Sequence, residues 1–351
     1  MERNTTMSTI RIELLIDVDD AKGKDIVIRI SGKDLRTCLE QKAHAGKKPT
    51  GMGLLLFFKE HIRQSVDTRS ARTIECYRHV YSRLSRYLDE KGMSEVAVDE
   101  VTAQFVAQYE QYLKRCELTL NTISFHLRIL RTVYNKAVEQ GLCADQRPFR
   151  QAYTKVAKTA KRALSIASIR AIRQYQAKNR MVSFAQDMFM FSFYTHGMSF
   201  VDMAYLRESN VSDGYLNYQR HKTGQTIRLR WEPCMQEIVD KYHVEGQQYL
   251  LPIIHSRNGK ERNQYRSKQY IVNKSLREIT SDIRLERKLT MYVARHSWAS
   301  IAEQQGLPVN LISQGLGHAS EKTTQIYLKT IRLEQIDQAN TDIIKLMTEG
   351  K

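Results

Sequence analysis

Cysteine is scarce and unpatterned in this chain. Its five residues, Cys38, Cys76, Cys116, Cys143 and Cys234, are odd in number, scattered, and never spaced as Cys-x-x-Cys. That pattern excludes a disulfide framework and a cysteine-held zinc site, and it reads as the reduced thiols of a cytoplasmic protein. Long apolar runs are missing too. The longest apolar patch, Leu54-Leu55-Leu56-Phe57-Phe58, is ended by Lys59-Glu60, well short of the roughly 18 residues a membrane helix requires. The opening residues, MERNTTMSTIRIEL, hold no signal-peptide hydrophobic region. Acidic residues are in deficit, with 38 Asp+Glu against 55 Lys+Arg and a formal charge of +17 over 351 residues. No carboxylate cluster offers itself to a divalent cation, so neither a metal nor a cofactor is expected. A cation excess of this size implies a polyanionic partner, nucleic acid first, although ribosomal proteins and chaperones of acidic clients share it.

What is present falls into four stretches. Residues 1–48 alternate in two places, from Ile10 and from Asp25, with Lys22-Gly23-Lys24 between them. A short β-hairpin with a helix over residues 34–41 is expected, and its plain reading is a structural extension. After a Gly-rich linker, residues 50–142 carry four helical patterns: 54–65, 73–91, 103–115 and 118–140. Their helix starts gather basic and hydroxyl side chains, at Arg69, Arg72 and Thr73, and again at Thr119, Asn121, Thr122, Ser124, His126 and Arg128. Such groups suit phosphate contacts, while Thr73 and Thr119 also suit plain helix capping. Residues 143–163 carry Arg150, Lys155, Lys158, Lys161 and Arg162 with no acid after Asp145, as expected of a basic linker lying on DNA. Residues 164–351 read as helices over 165–178, 181–194 and 199–206, then a hairpin whose strands, 215–220 and 225–231, are joined by His221-Lys222-Thr223-Gly224. Helices starting at Glu237 and Lys268 follow.

The most informative stretch is residues 291–330. Ala299, Ile301, Ala302, Val309, Leu311, Ile312 and Leu316 have the spacing of packed helices. Among them lie Ala-Arg295-His-Ser-Trp-Ala-Ser, then Leu-Gly-His318-Ala-Ser, then Thr-Thr-x-x-Tyr327-Leu. A lone tyrosine among 18, or a lone Gly-His, is ordinarily packing or a turn. The ordered set, with gaps of 23 and nine residues, is far more specific.

This set closely resembles the C-terminal signature of the tyrosine recombinases, or phage-integrase family, and the resemblance extends over about residues 50–335. It implies a mainly α protein. An all-α SAM-like core-binding domain would be followed by a mixed, mainly α catalytic domain with a small β-hairpin or sheet, and the short, β-rich extension over residues 1–48 stands where many relatives carry a DNA-binding arm. It further implies double-stranded DNA as partner, a homotetramer on that DNA, and accessory DNA-bending proteins as possible helpers. The segment 333–347 would pass between subunits. Tyr327 would be the nucleophile, Arg295 and His318 would hold the phosphate, and Lys222 would be the general acid. Two departures stand out. Ser199 occupies the place of the family's first arginine, in Gly197-Met-Ser-Phe-Val-Asp-Met203, and Tyr292 replaces a histidine three residues before Arg295.

Losing a phosphate-binding arginine removes a contact worth a few kcal/mol in a transition state. Arg220, two residues before Lys222, is the candidate replacement if strand alternation points both side chains to one face. Otherwise it rests on the DNA backbone with Arg228 and Arg230. Tyr292 supplies a hydroxyl or packs, and His196 and His296 read as structural. Three functions remain open: a site-specific recombinase working through a 3′-phosphotyrosyl link and a four-way junction, an inert DNA-binding relative, and a monomeric topoisomerase.

Overall fold

The computed structural model describes residues 51–157, 163–318, 320–328 and 340–341; at residues 322 and 326–328 it describes the backbone alone. The expected N-terminal hairpin and helix, Lys158, Lys161, Arg162 and, apart from residues 340–341, the segment 333–347 lie outside the described residues. The chain divides into two compact units, residues 1–159 and 160–351.

The described part of the first unit is helical: α1 (Leu54–Ser65), α2 (Ala71–Glu90), α3 (Ala103–Arg115) and α4 (Leu120–Glu139). Each helix buries one stripe. In α2 it is Ile74, Tyr77, Val80, Leu84, Tyr87 and Leu88, the 3–4 spacing of an amphipathic helix. The starts are set by side-chain caps. Ser70 accepts from the Thr73 N–H, Thr102 from Phe105 and Thr119 from Thr122. Thr73 is therefore not the cap of α2, whose first turn begins two residues earlier than the sequence pattern suggests. α1 is capped from a distance, the Glu95 carboxylate accepting from the Leu55 N–H at 2.8 Å and the Leu56 N–H at 3.1 Å. Ser124 and His126 face the core and are buried, so neither is available to phosphate. The segment after α4 packs back on this unit. Phe149 is buried with the helices, and Asn121 exchanges hydrogen bonds with the Ala157 N–H (2.8 Å) and carbonyl (3.1 Å).

The second unit surrounds α6 (Arg180–Tyr194), which is preceded by α5 (Ile166–Gln174). α6 is buried around most of its circumference, through Val182, Phe184, Ala185, Met188, Phe189, Met190 and Phe191. Buried Gln186 gives its amide to the terminal carbonyls of α5, those of Ile172, Arg173 and Tyr175. The short α7 (Phe200–Ala204), capped by Ser199, leads to an antiparallel sheet of β1 (Val211–Ser212), β2 (Tyr215–Gln219) and β3 (Thr226–Arg230). Leu216 stands opposite Leu229, and Tyr218 opposite Ile227, giving one buried face. Then come α8 (Pro233–Tyr242), α9 (Glu261–Asp282), α10 (Met291–Gln304), α11 (Val309–Gly315) and α12 (Glu321–Leu328).

The expected class, mainly α with a small sheet, is what the chain adopts. β1 adds a third strand to the expected hairpin, and α9 begins seven residues before Lys268. α5 stops at Gln174 rather than Lys178. Ala299, Ala302, Ile312 and Leu316 are buried together against Trp298 and Val309, but Leu311 is 49% exposed and is not core. Among the described residues, no helix is long and apolar enough to cross a membrane.

Candidate active site

A cleft of about 360 Å³ in the second unit is lined by Gly197 to Phe200, Arg220, Lys222, Thr223, Gln269, Met291, Tyr292, Arg295, His318 and Thr323. Three of these are permanent or near-permanent cations, and none is acidic.

Arg295 projects from the second turn of α10 and is only 5% exposed. Its Nη1 donates to the Gly197 carbonyl at 2.9 Å, and its Nη2 donates to the Leu316 carbonyl and lies 3.0 Å from His318 Nε2. Arg220 is 7% exposed and donates through Nη1 to the Gly317 carbonyl. Its Nε is buried with no hydrogen-bond partner. Two buried guanidiniums thus rest on consecutive carbonyls of one turn, between α11 and α12. Carbonyl dipoles compensate a buried cation less fully than a carboxylate does, so an arriving anion is a better acceptor for both forks than the carbonyls are.

The turn itself demands glycine. Gly317 has φ +60°, and an added Cβ would stand 2.7 Å from Ile227 Cδ1 and 3.0 Å from Arg220 Cδ. The turn therefore packs directly on the β2–β3 hairpin and sets His318 beside it.

His318 joins α12 to the cations. Its Nδ1 is 2.8 Å from Thr324 Oγ1, and Thr324 is fully buried. Arginine has no acceptor, so the Nε2 facing Arg295 carries the lone pair and Nδ1 carries the proton donated to Thr324. Burial, then the nearby Arg295, Arg220 and Lys222 charges, push its pKa down to about 4. With that tautomer the neutral His318 presents Nε2 as an acceptor to Arg295.

Lys222 lies in the turn after β2, exposed at the cleft edge, and not on the strand. Strand alternation therefore does not place Arg220 and Lys222 on one face, because β2 ends at Gln219. Arg220 continues the buried face of Leu216 and Tyr218, while the loop closed by Arg220 N–H to Gln225 O (2.9 Å) and Gly224 N–H to Arg220 O (2.8 Å) returns Lys222 to the same cleft. Tyr292 lines the cleft at 43% exposure, its ring edge-on to His296 at 4.4 Å. Ser199 also lines it, but as the cap of α7, with its hydroxyl 2.6 Å from Asp202 Oδ2. His196 is half-buried and stacked on Trp298 at 4.7 Å, a packing role. Tyr327 belongs to α12, one helical turn beyond Thr323; its side chain lies outside the described residues.

Gln269, Thr323 and Thr324 are cleft or supporting residues beyond those assigned from sequence. The two threonines stand in the Thr-Thr-x-x-Tyr pattern and were in that sense visible; nothing in the sequence singled out Gln269. In the first unit, Arg69, Arg72, Arg128, Arg150 and Lys155 are exposed, and Arg72 pairs with Glu75 at 3.3 Å. Thr119 serves α4 as cap, with its hydroxyl 2.9 Å from that of half-buried Thr122, and the amide of Asn121 is engaged by Ala157. On α9, Asn263, Arg266, Ser267, Tyr270 and Ile271 form an outward stripe in which Tyr270 is 67% exposed.

The helical first unit, and a second, mainly helical unit with a small sheet, make up a fold shared with integrases of known structure. The fold is similar to that of a lambda integrase dimer bound to a COC′ core site (TM-score 0.59, 15% identity, 79% of this chain and 95% of that one). It is similar to a lambda integrase tetramer bound to a Holliday junction (0.61, 14%, 84% and 85%). It is also similar to the Tn1549 transposon integrase in complex with circular intermediate DNA (0.59, 13%, 81% and 99%). Residues 53–157 match the phage integrase SAM-like domain, and residues 114–332 match the phage integrase family. The chain belongs to the phage integrase family, the tyrosine recombinases. No curated protein matches it by sequence.

Proposed function

We propose that this protein is a site-specific DNA recombinase that breaks and rejoins strands through a 3′-phosphotyrosyl intermediate at Tyr327. The observation that carries the reading is the convergence of Arg295 and Arg220 on the Leu316 and Gly317 carbonyls, in one cleft with Lys222 and His318. A scissile phosphate entering there exchanges carbonyl oxygens for its own non-bridging oxygens, which accept charge-assisted bonds from both guanidiniums. Arg220 then stands in for the arginine missing at Ser199.

In the step itself the Tyr327 oxygen bonds to phosphorus and the P–O5′ bond breaks. Lys222 gives a proton to the leaving O5′, and the phenolic proton passes to the lone pair at His318 Nε2. The resulting imidazolium, held by Thr324, donates to the phosphate. The phenolate of the phosphotyrosyl link is a good leaving group, so the step reverses when another 5′-hydroxyl attacks. Double-stranded DNA is the proposed partner, held at Arg69, Arg72, Arg150 and Lys155 of the first unit and along the α9 stripe of the second. Thr73, Thr119, Asn121, Thr122 and Arg128, and Lys158, Lys161 and Arg162, complete the set proposed from sequence. Four protomers exchanging strands through a four-way junction is the proposed assembly, in line with the lambda integrase tetramer on a Holliday junction.

One observation favours a second reading, an inert DNA-binding relative: Ser199, at the position of the lost arginine, is committed to Asp202 and offers no cation. Covalent trapping separates the two. Purified protein is incubated with fragmented DNA from its own source, quenched with detergent and assayed for protease-sensitive adducts. Adducts lost in Tyr327→Phe support the recombinase, and sequencing the attached DNA identifies the site. DNA binding with no adduct supports the inert relative.

A further inference from the structure

A general acid on an exposed lysine works only if something fixes the backbone that carries it. Lys222 sits in a four-residue loop, and the residue before it is tied down in an unusual way. The His221 N–H donates to Asp202 Oδ1 at 2.9 Å, and His221 Nδ1 approaches the same oxygen at 3.2 Å. The His221 ring lies on Tyr205, centroids 4.6 Å apart. Asp202 itself is 3% exposed and takes the Ser199 hydroxyl on its other oxygen at 2.6 Å. Burial alone would raise its pKa; the bonds from His221 and Ser199 outweigh burial and hold the carboxyl below its ordinary value.

We infer that Asp202 and His221 are positioning residues for Lys222: a buried carboxylate latches the hairpin tip to the start of α7 and so sets where the lysine's proton is delivered. Three facts point this way. The latch ends on the residue adjoining Lys222. Its other end is Ser199, which lines the same cleft, so one carboxylate joins two segments that line it. A buried ionised carboxylate is also an expensive way to hold a surface loop, since a neutral side chain would cap α7 as well. Ser199, where an arginine would otherwise stand, is thereby part of the latch rather than a mere loss.

This inference rests on the reading of Lys222 as the acid, and the test separates the two. Full-length protein is given a duplex oligonucleotide carrying its trapped site, with either the ordinary 5′-oxygen or a bridging 5′-sulfur at the scissile phosphate. A thiolate leaves without needing a proton, so loss of the acid step alone is rescued by sulfur. Asp202→Asn is expected to form adduct about tenfold or more slowly on the oxygen substrate, and within about threefold of wild type on the sulfur substrate, as Lys222→Ala does. His221→Gln, at a half-exposed position where loss of fold is not at issue, is expected to give a smaller defect with the same rescue. Equal losses on both substrates, or no loss on oxygen for either variant, overturn the latch. Unrescued loss in Lys222→Ala removes the acid role on which it rests. Absence of adduct from the wild-type protein on both substrates removes the recombinase reading itself, and the latch with it.

Discussion

Gly197 lies against the backbone of Arg295, so close that a Cβ added to the glycine would stand 2.6 Å from the Arg295 Cα. With φ +72°, the position is also strained for any L side chain. The Gly197 carbonyl then receives the Arg295 guanidinium, so one residue sets both the approach of α10 and the direction of its arginine.

Gly197→Ala is therefore expected to destabilise the fold by roughly 3 kcal/mol or more, the sum of backbone strain and overpacking. Gly214→Ala, with φ +73° but nothing within 4 Å of the added Cβ, should cost only about 1 kcal/mol. Urea denaturation of the two variants measures the difference; equal costs would mean the contact with α10 is unimportant.

Arg220→Ala should reduce adduct formation by about 10²-fold or more while leaving DNA affinity within a few-fold. Arg220→Lys, which keeps the charge but loses the fork, should recover little. Adding Ser199→Arg to the alanine variant is the informative rescue. Single-turnover trapping together with gel-shift titration reads both quantities.

Thr324→Val removes the acceptor of the His318 Nδ1 proton and leaves the shape nearly unchanged. The imidazole is then free to turn or change tautomer, and adduct formation should fall about tenfold, with Thr324→Ser close to wild type. A valine variant as active as the parent would show that His318 is oriented by other means.

His126 makes a separate prediction about the first unit. It is fully buried, its Nε2 has no partner, and burial, then His79 and Arg83, push its pKa down to about 4 from 6.5. The folded chain binds this proton less readily than the unfolded chain. Stability is therefore full above about pH 6.5 and falls as pH drops towards 4, by on the order of 3 kcal/mol from this group. His126→Leu should flatten that part of the pH profile in thermal melts.

The helices of the first unit were legible because their apolar residues keep a 3–4 spacing and three of the four carry a Ser or Thr cap; the α3 bounds, 103–115, match the pattern to the residue. The early start of α9 was not legible. Its fully buried residues begin only at Val272, and the turns before it set a single part-buried tyrosine, Tyr265, against the core, too little to register as a period. The two-residue β1 is too short for any alternation to register. Within the site, Arg295 and His318 announce themselves through local pattern. Arg220 was found by nearness to Lys222, but through a strand that ends at Gln219. Asp202, Thr324 and Gln269 act through partners distant in the chain or across a turn, and residue type alone does not reveal such partners.

Among the described residues, the guanidiniums in the cleft donate to peptide carbonyls, acceptors that a free anion can replace. The small phosphates and sulfates of a buffer are such anions. Such ions meet the same two forks that a strand's scissile group would need. They act as competitors, so that at equal ionic strength the protein's apparent grip on nucleic acid depends on which salt surrounds it, with chloride the more permissive and phosphate the more obstructive.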